Sequence, residues 1–222
     1  MKRLLPAAIF GIVGFSILVS LGFWQLRRHY WKQGVLAQIE ERIAQDPVAL
    51  PAQPDPDADE YLAVVLEGTL EPQELHVLVS TRDLGAGFRI ISPFVTQDGR
   101  RVMVDRGFVL TQARDSARVS GPMTITGNLH WPEERDSYTP QNDAVANYWY
   151  ARDVPVMARA LDTEPVLVIA RGAIEPAMTP LPVSSEGIPN NHMGYVVQWF
   201  LFAAVWLGMT LLLLWRIRTK PV

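Results

Sequence analysis

The chain has 222 residues, 49% of them apolar and 19% charged, with a formal net charge of −3 and no cysteine. That length accommodates membrane spans and one domain of ordinary size. Without cysteine there are no disulfide staples and no thiolate metal sites, copper-relay chemistry included. Arginine outnumbers lysine 17 to 3, which points to a GC-rich bacterial genome and makes the periplasm the outer compartment.

Leu4 to Leu26 is free of charge over 23 residues. As a helix this run covers ~35 Å, against ~30 Å of bilayer hydrocarbon, and it lacks the polar face a soluble helix needs. It ends in Trp24-Gln25-Leu26-Arg27-Arg28 with no small-x-small cleavage site, so an uncleaved anchor is predicted rather than a signal peptide. The helix is predicted to continue over 27–45, because Trp31, Val35, Ile39 and Ile43 recur every fourth residue with charged and polar residues between them. Asp46-Pro47 should stop it. Residues 46–60 hold four prolines and five acids, the composition of an extended, solvated linker.

Residues 61–192 are expected to form an extracytoplasmic domain, a mainly antiparallel β barrel or sandwich of the β-rich α+β class with one short helix. Val64–Leu66, Leu75–Val79, Phe88–Val95, Val102–Leu110, Met123–Leu129 and Val166–Ile169 have the β-branched and aromatic content of strands. Asp98-Gly99 should turn a hairpin of type I′. Asp153–Leu161 is predicted as the helix, capped by Asp153, with Val156, Ala160 and Leu161 on one face.

A second charge-free run of 23 residues, Met193 to Trp215, predicts the other span. Arg216, Arg218 and Lys220 follow it, whereas Gly172 to His192 carries no lysine or arginine. The positive-inside rule then puts both termini in the cytoplasm and the domain in the periplasm of a bacterial inner membrane. Lys2 and Arg3 are balanced by Arg27, Arg28 and Lys32, so the second span decides. On the cytoplasmic side, Ala7 and Gly11 should meet Ala204 and Gly208, small residues spaced by four.

Signs of catalysis are absent from the pattern. The chain has no Gly-x-Ser-x-Gly, no phosphate-cradling glycine loop and no His-Glu-x-x-His. The acidic pairs Glu40-Glu41 and Glu133-Glu134 are sequence neighbours, which point apart on helix and strand alike. Four histidines occur, His29, His76, His130 and His192. At the start of the second span, His192, Tyr195 and Trp199 share one helical face, and Trp24 and Gln25 lie at the same boundary of the first span. Two readings stay open there: an aromatic belt at a membrane interface, or the rim of a cofactor site.

Asn190-Asn191-His192-x-x-Tyr195-x-x-x-Trp199-Phe200 resembles the second-span motif of the surfeit locus protein 1 family of cytochrome c oxidase assembly factors. Leu21-Gly22-Phe23-Trp24-Gln25-Leu26-x-Arg28 is similar to that family's first-span exit. Gly87-Phe88 with Ser92-Pro93-Phe94, Val104 to Val109, Pro140-x-Asn142-Asp143, and Asn147-x-Trp149-Tyr150-x-Arg152-Asp153 follow in family order. The chain departs from the family at Phe88, Asp105 and Phe108, where the family usually has Tyr, Asn and Trp. The resemblance implies a membrane-bound, non-enzymatic factor for a haem–copper oxidase, with oxidase subunit I and haem a synthase as partners besides membrane lipid, and no nucleic acid. It also implies haem a as a cofactor, with His192 as axial ligand to the iron. Tyr195, Trp199 and Trp24 would form the aromatic rim, and Arg28 or Arg27 would meet the propionates. A scaffold that docks on oxidase subunits without haem, and an anchored periplasmic enzyme, are the alternatives.

Overall fold

The computed structural model describes residues 4–185, 188 and 190–219. Lys2, Arg3 and Lys220, which enter the charge reading above, lie outside the described residues. The chain divides into two compact units, residues 1–38 with 185–222, and residues 39–184.

The first unit is a helix pair. Helix α1 runs without a break over Leu4–Ala44, joining the apolar run to its amphipathic extension. Helix α2 (Val154–Leu161) belongs to the second unit, and α3 covers His192–Thr219. Both α1 and α3 are long and apolar enough to cross a membrane. They pack antiparallel through glycines. A Cβ on Gly11 would strike the Thr210 side chain, one on Gly14 the Trp206 indole, and one on Gly22 would lie 2.9 Å from the Phe200 ring. The Trp206 indole donates to the Gly11 carbonyl at 3.0 Å. Gly11 therefore lies at the helix contact as expected, but Ala204 and Gly208 do not. Gly208 has open space around it, and the buried small residue on α3 is Ala203. Small residues occur at several phases of this helix, and the bulky Trp206 and Phe200, slotting against glycines, decide which phase turns inward.

The second unit is built on seven strands: β1 (Val48–Ala49), β2 (Ala63–Leu70), β3 (Leu75–Thr81), β4 (Gly85–Thr96), β5 (Arg101–Leu110), β6 (Gly121–Leu129) and β7 (Leu167–Ala170). Their order is β1-β2-β6-β7-β5-β4-β3, and β2 also pairs with β4 through Gly68–Leu70. That second pairing closes β2, β6, β7, β5 and β4 into a barrel, which leaves none of the five with a free edge. Most pairs are antiparallel; β1–β2 and β5–β7 are parallel. Linker residues Val48 and Ala49 thus add a short strand to the domain rather than standing free of it.

Alternation along the strands separates the buried residues into three clusters, the smallest being Phe88, Ile90, Val109 and Met178. Leu66, Leu70, Phe94, Val102, Val104, Ile125, Leu129 and Val168 fill the barrel. Met103, Leu167, Ile169 and Ile91 face outward and are covered by α2 (Val154–Leu161) and Trp149. Asp153 caps α2, accepting from the Val156 amide at 3.2 Å, as its position before the apolar stripe predicts. The buried stripe is Val154, Met157, Ala158 and Leu161, not the expected Val156–Ala160–Leu161 face; Ala160 is exposed. The i, i+3, i+4, i+7 spacing of this stripe carries larger side chains and so wins.

The β4–β5 hairpin turns at Asp98-Gly99, but only Gly99 takes positive φ, at +84°. The Gly99 amide donates to the Thr96 carbonyl at 2.9 Å and the Thr96 amide to the Arg100 carbonyl at 2.8 Å. This is a Thr96–Gly99 turn whose fourth residue is the left-handed glycine, not the two-residue type I′ turn expected. Gly99→Val should still lower domain stability by ~1 kcal/mol, because a β-branched residue is strained at that φ. Thermal denaturation of the variant checks this, and an unchanged Tm would count against it.

Candidate functional site

The motif blocks separate into those that hold the domain together and those that meet between the helices. On β5, Asp105 and Arg106 point to opposite faces and are both fully buried. Asp105 takes a 2.6 Å ion pair from Arg89 and lies 3.6 Å from Arg152, and its other oxygen accepts from the Gly107 amide at 3.0 Å. Arg106 pairs with Glu175 at 2.9 Å and donates to the Val119 carbonyl at 2.9 Å. Gly107 has φ +119°, and a Cβ there would approach the Thr179 carbonyl oxygen to 2.5 Å. Phe108 exchanges backbone hydrogen bonds with Thr179 at 2.7 and 2.9 Å, and Arg89 donates to the Leu181 carbonyl at 3.2 Å. Asp105 to Phe108 therefore clamps the return segment 175–181 onto the barrel.

Electrostatics support the clamp. Burial lowers the pKa of Arg106, opposed by Glu175 and Glu74. For Arg152, burial works against the charge, but Glu134 and Asp105 outweigh it and raise the pKa above the usual arginine value. Glu134 mirrors this: burial would raise it, yet Arg152 holds it below the ordinary carboxylate range. The Asn147 block is structural as well. Asn147, at φ 53°, accepts from the Trp149 indole at 3.0 Å and donates to the Glu74 carbonyl at 3.0 Å. It thereby seats Trp149 along the outer edge of β3, beside Val77.

The remaining two blocks meet. His192 opens α3, and its Nδ1 lies 2.9 Å from Oε1 of Gln25 on α1, across 167 residues of sequence. A carboxamide oxygen accepts and its nitrogen donates, so the end of the Gln25 amide that faces the ring sets the tautomer of His192. An imidazole fixed in this way is a ligand in waiting, since metal-bound histidines donate their second ring N–H to an outer partner. Behind the pair, Phe23 and Phe200 meet edge to face with centroids 5.5 Å apart. Two polar atoms nearby in sequence, His29 Nδ1 and Asn190 Oδ1, are enclosed with no hydrogen-bond partner among the described residues.

Among the described residues, no hydrogen bond joins the other candidate residues to this pair. Trp24 and Tyr195 are 53% and 51% exposed. Trp199 is half-buried, with its ring edge on Phe202 at 6.0 Å. Arg28 is exposed and holds its guanidinium 4.9 Å over the Trp31 ring. Gln25 is the functional side chain that spacing alone does not single out, because its partner is distant in sequence. Its one signal is membership of the Trp24-Gln25 block.

A sequence model of the SURF1 family matches residues 12–204. The chain belongs to the SURF1 family. Its relatives include Surfeit locus protein 1 of Mus musculus, 29% identical over 220 residues, which cover 89% of this chain and 69% of the relative. The protein of the same name from Xenopus tropicalis is 30% identical, covering 82% and 67%. A SURF1-like protein of Monosiga brevicollis is 31% identical, covering 87% and 82%. The match takes in most of α1, the barrel and the start of α3, so in this SURF1 chain the His192–Gln25 contact and the clamp both lie inside the family region.

The donor chemistry of His192 is of the kind haem iron takes, imidazole being a standard axial ligand, and Trp24 and Tyr195, its neighbours in the two motif blocks, are half exposed. If Gln25 sets the tautomer, Gln25→Leu should weaken binding of added hemin by roughly 10–100-fold, the usual cost of removing such an outer partner. Gln25→Glu keeps the acceptor and should bind near normally. Absorbance titration of both variants in detergent checks this; equal affinities for Leu and Glu would contradict it.

Proposed function

We propose that this protein is an assembly factor for a haem–copper terminal oxidase, holding haem a at His192 and presenting it to subunit I, with haem a synthase as the source. The observation that carries the proposal is the His192–Gln25 hydrogen bond at 2.9 Å, which joins the two motif blocks of the spans. Membership of SURF1, a family known for cytochrome c oxidase assembly, supplies the client. The charge pattern supports a bacterial inner-membrane protein with cytoplasmic termini and a periplasmic barrel. No catalytic reaction is assigned; the role is that of a carrier and chaperone.

Haem, when bound, would supply an iron with affinity for imidazole. His192, oriented by Gln25, would hold it. Trp24, Tyr195 and Trp199 would shield it from water, and Arg28, with Arg27, would offer cations to its carboxylates. An exposed rim suits a group that must leave again for its client. The half-exposed Trp24 and Tyr195 also suit a second reading, in which they anchor the helices at the interface of a haem-free docking scaffold. Protein purified in detergent from cells that make haem a decides between the two. We expect copurified haem a with an axial-imidazole spectrum; haem-free protein that still supports oxidase assembly would favour the scaffold.

A further inference from the structure

We propose that the end of the helix pair away from His192 holds an anionic phospholipid, its phosphate at Arg218 and an acyl chain between α1 and α3. The inference takes the two helices as membrane spans and stands apart from the haem reading.

Glycine lets α1 and α3 close on each other as far as Gly11, where a Cβ would strike the Thr210 side chain. One turn beyond that contact a cleft of about 620 Å³ opens between the helices, within the size range of small-molecule sites. Leu4, Leu5 and Ala8 line it from α1, and Leu214, Trp215 and Arg218 from α3. Leu214 and Arg218 are one turn apart, so the lining passes from apolar to cationic toward the end of α3. An arginine lays its methylene stem on apolar surface while its guanidinium reaches the headgroup level. Leu5 and Trp215 are 67% and 61% exposed, so the cleft is open to the surrounding medium.

Charge selects the occupant. The sequence has no Asp or Glu before Glu40 or after Glu186, so neither apolar run offers Arg218 a carboxylate. Lys2, Arg3, Arg216 and Lys220 add further cations close by in sequence. A third apolar helix would fill the cleft but leave the guanidinium without a counterion. An anionic phospholipid meets both halves of the lining: its chain covers the leucines and Ala8, and its phosphate accepts from the planar fork of Arg218. Basic pockets between membrane helices take such headgroups. Arg216 is two positions from Arg218 and is not part of the lining. The two arginines therefore separate a built site from a general attraction of a basic tail to an anionic bilayer.

The test titrates full-length protein in detergent with phosphatidylglycerol and with phosphatidylcholine of the same chains, counting lipid adducts by native mass spectrometry. The wild type should retain one phosphatidylglycerol, bound roughly fivefold or more tightly than phosphatidylcholine, the weight of one basic residue at an anionic headgroup. Arg218→Gln should erase that preference, whereas Arg216→Gln, which removes the same charge outside the cleft, should keep it. Ala8→Phe fills the cleft with Arg218 in place and should weaken both lipids. No preference in the wild type, or an equal loss in the two arginine variants, would overturn the inference. So would displacement of the lipid by glycerol phosphate, which has the anionic group and no chain.

Discussion

Glu175→Ala is expected to destabilise the barrel by about 3 kcal/mol, near the lower end of the ~3–5 kcal/mol typical when one partner of a buried ion pair is removed. Arg106 is fully buried and its strongest partner is Glu175 at 2.9 Å; Glu74 is 3.9 Å away and already pairs with Arg118 at 2.9 Å. The Ser92 hydroxyl at 3.4 Å and the Val119 carbonyl at 2.9 Å give hydrogen bonds but no countercharge. Removing the carboxylate therefore leaves a buried guanidinium with only the more distant Glu74 as countercharge and deprives the Val119 amide of the oxygen it donates to at 3.0 Å. At ~2–4 °C per kcal/mol for a domain of this size, Tm should fall by roughly 6–12 °C. The double replacement Arg106→Met with Glu175→Leu should recover much of the loss, because exchanging both charges for apolar groups is often neutral. A Tm for Glu175→Ala equal to that of the wild type would show that the pair contributes nothing to holding the return segment.

Much of the architecture is legible in the sequence for local reasons. Charge-free runs identify α1 and α3, β-branched stretches identify the strands, and Asp153 before an apolar stripe identifies the start of α2. The barrel closure is not legible, because β2–β4 and β5–β7 pairings join segments far apart and no local pattern encodes them. Asp98-Gly99 signals a turn, but its type depends on whether Asp98 also adopts positive φ, and it does not. Glu175 lies in a stretch whose composition gives no sign of burial, yet it is 8% exposed because Arg106 draws it inward. For the candidate site, His192 stands out through its motif and Gln25 only through the fold. The helices place them together because Gly11, Gly14 and Gly22 let the bulky side chains of α3 sit against α1.

His192→Gln should have the largest effect on the site itself. Glutamine is polar and similar in reach, so an interfacial anchor would tolerate it, and it can still hydrogen-bond to Gln25. It offers iron no imidazole, and hemin affinity should fall by at least the roughly 10–100-fold expected for losing the outer partner alone. Tyr195→Phe, which keeps the ring, should change little, and Trp199→Ala should loosen the rim. Replacement at His192 leaves the barrel and its clamp untouched, so the Tm of the domain serves as an internal control.

The most direct measurement is the haem a content of the terminal oxidase purified from cells whose sole copy of this protein carries His192→Gln, compared with wild type at equal protein abundance. The account predicts an oxidase deficient in haem a, with the assembly factor itself expressed and membrane-inserted as usual. An oxidase with its full complement of haem a would contradict it.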